Sequence, residues 1–229
     1  MLELAGVHAA YGAIEVLHGV DLSLPSGSVL ALLGPNGGGK STVMKVCSGL
    51  LPVTGGELRM AGRTVNGISA RDAARLGICT IPEGRGIFAN LSVRENLWLA
   101  SGQGSSLARM EEAAYSRFPI LGRRRSQLAG TLSGGEQQML SLSRALGTDP
   151  AVLLLDELSM GLAPMIVSQM YDTVAQLVAE GISVLVAEQF ARVVLPIADS
   201  AALMLQGRIV SVGAPDEIEE QLTTSYLGG

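Results

Sequence analysis

The run Gly34-Pro35-Asn36-Gly37-Gly38-Gly39-Lys40-Ser41-Thr42 constrains this chain more than any other feature. It follows the apolar stretch Ser28–Leu33 and opens a segment of helix-compatible residues reaching to about Gly49. Glycines let successive backbone N–H groups converge on one point, and a helix starting at Lys40 aims its positive dipole end at the same point. A Gly-rich turn between a buried strand and a helix is therefore a cradle for phosphate oxygens. The full match to G-x-x-x-x-G-K-[ST] gives each residue a part. Lys40 reaches the β- and γ-phosphates of a nucleotide, and the Ser41 hydroxyl is a Mg²⁺ ligand. The pattern by itself leaves ATP and GTP both open.

The rest of the chain supplies the frame. Leu2–His8 and Ile14–Leu24 alternate as strands, the second ending on the turn Pro25-Ser26-Gly27. Gly55–Val65 reads as a hairpin, Arg71–Leu76 as a short helix and Gly77–Pro82 as a buried strand. From Ser92 to Gly147 the pattern is one of consecutive helices, begun by the capping-box pair Ser92 and Glu95. Strand and helix then alternate again. Ala151–Asp156 and Ser183–Ala187 are strands, Pro164–Glu180 and Gln189–Ile197 helices, Ala201–Gly213 a strand pair and Pro215–Leu222 a closing helix. Such alternation implies a largely parallel α/β sheet covered on both faces, with the strand-free middle inserted as a helical unit.

Two further runs carry chemistry. Ala151–Leu155 is an apolar strand ending on the carboxylates Asp156 and Glu157. Beside a phosphate cradle, the strand-end Asp holds Mg²⁺ and Glu157 orients the attacking water as the catalytic carboxylate. Leu132-Ser133-Gly134-Gly135-Glu136-Gln137-Gln138 is a second helix start suited to an anion.

With 48% hydrophobic residues the chain can bury a sizeable core, yet its apolar runs are strand-sized, too short for a spanning helix of ~20 residues. The net charge of −5 argues against a nucleic-acid surface, and Arg123-Arg124-Arg125 reads as a solvated helix end. Cys47 and Cys79 lack metal-site spacing and read as free buried thiols of a reducing compartment. The N-terminus has no basic segment followed by an apolar one, so an export signal is not expected.

The three motifs, in this order, resemble the ATP-binding subunits of ABC transporters over essentially the whole chain. The resemblance implies a RecA-like P-loop NTPase: a mostly parallel α/β sheet with an N-terminal antiparallel β subdomain and an inserted helical subdomain. The core would be 1–86 and 147–229, and the insertion 87–146. Ser133, Gly134, Gly135 and Glu136 match the family signature, which in that family closes over the ATP of an opposing subunit. Gly34, Pro35, Asn36, Gly37, Gly38, Gly39, Lys40, Ser41 and Thr42 hold the chain's own ATP. By the same resemblance Tyr11 stacks on adenine, Glu83 stands at the position of a glutamine that serves the metal shell, and Gln189 takes the place of the switch histidine near the γ-phosphate. The implied Mg²⁺ ligands are Ser41, Glu83 and Asp156; the implied catalytic residues are Glu157, Lys40 and Gln189.

Departures from the common pattern narrow the match. Leu158 stands where relatives have Pro, Ala163 where they have Asp, and Gln189 is an amide that cannot titrate near neutral pH. With Pro82–Phe88, Gly161-Leu162-Ala163-Pro164 and the terminal Tyr226-Leu227-Gly228-Gly229, they resemble the smaller ATPase of branched-chain amino-acid importers, a group whose near relatives serve urea and short amides. The resemblance implies ATP and Mg²⁺ as ligands. It also implies a second, non-identical ATPase as partner (a homodimer in isolation), two membrane permeases, an extracytoplasmic solute-binding protein, and a peripheral place on the cytoplasmic face of the membrane. The rival classes are an ABC ATPase of DNA repair or the ribosome, disfavoured by the compact insertion and negative charge, and a non-hydrolysing regulator, disfavoured by Glu157.

Overall fold

The computed structural model describes residues 1–84, 86–101 and 106–227, with the backbone alone for 223–227. Arg85, Gly228 and Gly229, and the side chains of Tyr226 and Leu227, all used in likening the chain to one importer branch, lie outside that description.

The chain opens with β1 (Leu2–Tyr11), β2 (Ile14–Leu24) and β3 (Val29–Leu33), then α1 (Lys40–Cys47). β4 (Gly55–Met60), β5 (Arg63–Thr64), α2 (Ala70–Arg75) and β6 (Ile78–Ile81) follow. A strand-free stretch carries α3 (Val93–Ala100), α4 (Leu107–Arg117), α5 (Pro119–Arg123) and α6 (Gly134–Leu146). The remainder is β7 (Val152–Asp156), α7 (Pro164–Ala179), β8 (Ser183–Glu188), α8 (Ala191–Val194), β9 (Ser200–Leu205), β10 (Arg208–Gly213) and α9 (Pro215–Leu227).

Two sheets result. A six-stranded sheet has the order β10-β9-β3-β8-β7-β6, parallel except for the β9–β10 hairpin. A four-stranded antiparallel sheet has the order β2-β1-β4-β5. Some elements differ from the sequence reading. β1 runs on to Tyr11 because Tyr11 pairs with Ile14 at the hairpin end. α1 stops at Cys47, where Ser48 caps it, and the helix read over Gln189–Ile197 shrinks to α8 plus a 3₁₀ turn at Leu195–Ile197, with Pro196 in that turn.

Period-two alternation explains how both faces of the large sheet are covered. Leu30 and Leu32 of β3, Val152 and Leu154 of β7, and Leu185 and Ala187 of β8 face one core, shared with Leu2, Leu4 and Val7 of the small sheet and Val43 and Met44 of α1. Val29, Ala31, Leu33, Leu153, Leu155, Val184 and Val186 face the other core. There they meet α7 through Met170 and Val174, and the helical insertion through Leu97, Phe118 and Leu140. Among the described residues no helix is long and apolar enough to cross a membrane.

The insertion starts on a capping box: Ser92 accepts from the Glu95 backbone N–H while the Glu95 carboxylate accepts from the Ser92 backbone. Ser92→Ala removes this cap and should cost ~1 kcal/mol, a fall of ~2–4 °C in Tm readable by calorimetry. Next to it, buried Asn96 donates to the carbonyls of Phe88, Leu91 and Ser92 and accepts from the Phe88 N–H at 2.9 Å. That pins the segment after β6 to α3, and the Arg144 guanidinium of α6 stacks 4.8 Å from the Phe88 ring centroid.

Candidate functional site

A cleft of about 420 Å³ opens at the carboxyl ends of the parallel strands, lined by Val16, Asn36, Gly37, Gly39, Lys40, Ser41, Thr42, Glu83 and Glu157. Its floor is the loop between β3 and α1. Only glycine fits at Gly34, because a Cβ there would sit 2.2 Å from the Met204 carbonyl oxygen. Gly39 precedes α1 at φ 109°, and no side chain caps the helix. The Thr42 N–H turns back to the Gly39 carbonyl at 3.0 Å, and the N–H groups of Lys40 and Ser41 ahead of it are the ones suited to a ligand's phosphate.

Lys40 folds back into the loop. Its Nζ donates to the Gly34 carbonyl at 2.9 Å and the Pro35 carbonyl at 3.2 Å, and lies 3.5 Å from Glu157 Oε1. The side chain is almost fully buried, so this ammonium is the principal positive charge in a low-dielectric pocket. Ser41 Oγ donates to Asp156 Oδ1 at 3.2 Å. Burial is the largest influence on Asp156 and pushes its carboxyl up; the Ser41 hydrogen bond opposes it, the Glu157 and Glu83 carboxylates push the same way as burial, and Lys40 opposes. The Ser41 hydroxyl and the Asp156 carboxylate form a pair of hard oxygens at the cleft, the donor type Mg²⁺ takes. Among the described residues no group of three His, Cys, Asp or Glu is arranged to hold a metal by itself.

Glu157 turns sharply at the end of β7. Its φ is 51°, unusual for a residue with a Cβ, and its N–H donates to the Ala187 carbonyl at 2.9 Å. The strained turn aims the side chain into the cleft beside Lys40 rather than along the strand. Glu83, in the turn after β6, lines the same cleft.

The other predicted residues lie elsewhere. Tyr11 is exposed at the end of β1, with Lys45 Nζ 5.3 Å from its ring centroid, and does not line the cleft. Gln189 is exposed, one residue past β8, on the strand next to β7. Ser133 caps α6, with Gly134 and Gly135 in its first turn, also outside the cleft. Glu136 is turned inward: its carboxylate accepts from the Ser133 N–H and hydroxyl at 2.9 Å, and Arg124 Nε lies 3.1 Å away. It therefore braces the helix start, leaving Ser133 exposed and Gly134 half-buried, with Gly135 buried against Ile166.

One residue the sequence reading passed over is Glu188, the last of β8. It is 1% exposed and accepts from Tyr171 Oη at 2.6 Å and from the Ser159 N–H and hydroxyl, both at 2.9 Å. Burial pushes its carboxyl up, partly offset by the bonds from Tyr171 and Ser159.

Comparison with known proteins decides the family. Residues 17–159 match the family model for ABC transporters. The chain belongs to the ABC transporter family. A high-affinity branched-chain amino acid transport ATP-binding protein, BraG of Pseudomonas aeruginosa, is 38% identical over all of both chains. A probable branched-chain amino acid transport ATP-binding protein, LivF of Archaeoglobus fulgidus, is 34% identical over 96% of this chain and 94% of that one. An ATP-binding cassette of an ABC transporter in its ADP conformation superimposes with a TM-score of 0.86 at 26% identity, covering 100% of this chain and 99% of that one. As an ABC transporter ATPase the chain binds ATP with Mg²⁺ and hydrolyses it. Its fold is the P-loop NTPase fold of those cassettes, with the antiparallel and helical additions.

Proposed function

We propose that this ABC transporter ATPase energises an importer of branched-chain or similarly hydrophobic amino acids, from a peripheral place on the cytoplasmic face of the membrane. The observation that carries the substrate class is the 38% identity to BraG across the whole length of both chains. The ATPase pairs with a second ATPase subunit and acts on two permeases fed by a solute-binding protein.

The site residues divide the chemistry among them. The N–H groups around Gly37–Ser41 take the phosphate oxygens, and Lys40 exchanges the carbonyls of Gly34 and Pro35 for the β- and γ-phosphates. Ser41 and Asp156, with Glu83 in the outer shell, would hold Mg²⁺, which when bound neutralises charge on the β- and γ-oxygens. Once Lys40 turns to phosphate, Glu157 is released from its partner and faces the position from which water attacks. Ser133, Gly134 and Gly135 would meet the ATP of the opposing subunit, so each site is completed by two chains. Tyr11 would stack on adenine, approached along the end of β1, and Gln189 would donate its amide to the γ-phosphate. Leu158 is buried, so where relatives carry a proline this chain fills the turn with an apolar side chain.

Gln189→His tests the last assignment. A titrating imidazole at the γ-phosphate should add an inflection near pH ~6.5 to the rate of phosphate release. An unchanged rate and an unchanged pH profile would place Gln189 away from the γ-phosphate.

The substrate class is tested with the chain assembled with its permeases and solute-binding protein in vesicles. Phosphate release should rise with leucine, isoleucine or valine. Stimulation by urea or acetamide instead would move the chain to the short-amide branch, and indifference to every solute would sink the importer reading.

A further inference from the structure

The carboxylate of Glu188 adds side-chain hydrogen bonds among three segments that otherwise meet through apolar packing and backbone pairing. Its Oε1 accepts from the Ser159 N–H at 2.9 Å and from Tyr171 Oη at 2.6 Å, and its Oε2 accepts from Ser159 Oγ at 2.9 Å. Ser159 is two residues past Glu157 in the loop leaving β7, Tyr171 lies in the middle of α7, and Gln189 is the next residue along from Glu188. The loop is gripped on its other side as well, because Gln138 Nε2 of α6 donates to the Leu158 carbonyl at 3.3 Å. Both grips fall on the two residues directly after Glu157, whose own backbone conformation needs support from its surroundings to persist.

A buried carboxylate loses hydration, and three donors on one group are what it takes to compensate. An apolar side chain would fill the same volume without that cost, so the arrangement buys position rather than packing. We propose that Glu188 is a positioning residue for hydrolysis: through Ser159 and Tyr171 it fixes the loop that carries Glu157 and the strand end that carries Gln189. The proposal rests on the reading that Glu157 acts on the attacking water. It assigns Glu188 no contact with nucleotide. The side-chain partners of Glu188 lie on the loop after β7 and on α7, while its backbone stands in register with Leu33 of β3, so the carboxylate itself acts on the Glu157 loop and turnover should fall well before nucleotide binding does.

The test uses the full-length chain in its assembled transporter, measuring kcat for phosphate release, ATP affinity by titration, and Tm. Glu188→Ala should lower kcat by about tenfold to a hundredfold, the scale of a small misplacement of a catalytic group, and leave ATP affinity within about threefold. Glu188→Gln should recover most of the rate, because its amide oxygen can accept from Ser159 and Tyr171 while its nitrogen donates to Ser159 Oγ. If Glu188→Ala does not fold, Tyr171→Phe carries the test: loss of one of the three donors should lower kcat by about threefold or more with ATP affinity unchanged. An alanine variant with wild-type kcat, or one whose ATP affinity and kcat fall together, would overturn the proposal. So would a glutamine variant as slow as the alanine one, since charge and not position would then be what matters. Glu157→Gln in the same assay separates the two levels: if that variant retains turnover, the reading of Glu157 fails whatever Glu188 does.

Discussion

Glu157→Gln should lower the rate of ATP hydrolysis by about 10²–10³-fold, roughly 3–4 kcal/mol of barrier, while ATP binding stays intact or tightens. The substitution keeps shape and backbone demands, because glutamine meets the strained φ of 51° no worse than glutamate does. What changes is chemistry: an amide cannot take a proton from water. Binding survives because Lys40 and the loop glycines are untouched, and one negative charge facing the γ-phosphate is removed. Single-turnover phosphate release and equilibrium ATP titration, made on the same preparation, check both halves. Near-normal hydrolysis would remove Glu157 from the catalytic role.

Lys40→Ala acts on the other half of the cycle. The Lys40 ammonium donates to the Gly34 and Pro35 carbonyls and lies 3.5 Å from Glu157, in a nearly buried position. Exchanging these partners for phosphate replaces neutral carbonyl acceptors with anionic oxygens, and the gain exceeds what is given up because the ammonium then meets an opposite charge as well as a hydrogen-bond acceptor. Removing the ammonium should weaken ATP binding by roughly 1.5–3 kcal/mol, or about 10–150-fold in Kd. The loop itself should hold, since its shape is set by glycines and by the Gly38 carbonyl accepting from the Gly207 N–H at 2.8 Å. Titration with a fluorescent ATP analogue reads the effect, and a Kd within about twofold of wild type would contradict it.

Local features were legible in the sequence where their causes are local. The phosphate loop declares itself because glycines, lysine and hydroxyl must be adjacent to do their work, and Lys40, Ser41, Glu83 and Glu157 line one cleft, with Asp156 bonded to Ser41. The capping box at Ser92 is equally local and forms, and Ser133, read as a helix start, caps α6. What could not be read was pairing between distant segments. Nothing in the pattern of β4 says that it joins β1, or that β3 lies between β8 and β9; those choices follow from which faces remain apolar once the chain collapses. Glu188 escaped for the same reason. Its partners are remote in sequence, and only the fold brings Ser159 and Tyr171 to it. Glu136 has the opposite history: its place in the family signature suggested contact with nucleotide, whereas its carboxylate is engaged by Ser133 and Arg124.

The central claim is that each ATP site is built by two chains, the phosphate loop of one and the helix start at Ser133 of the other. The most direct measurement is the sedimentation of Glu157→Gln protein, alone and mixed with the second ATPase subunit proposed as its partner, in ATP·Mg²⁺ and in ADP·Mg²⁺. The account predicts association in ATP that ADP does not support, because only the γ-phosphate bridges the two chains. Protein that binds ATP yet sediments as a monomer in both mixtures would contradict it.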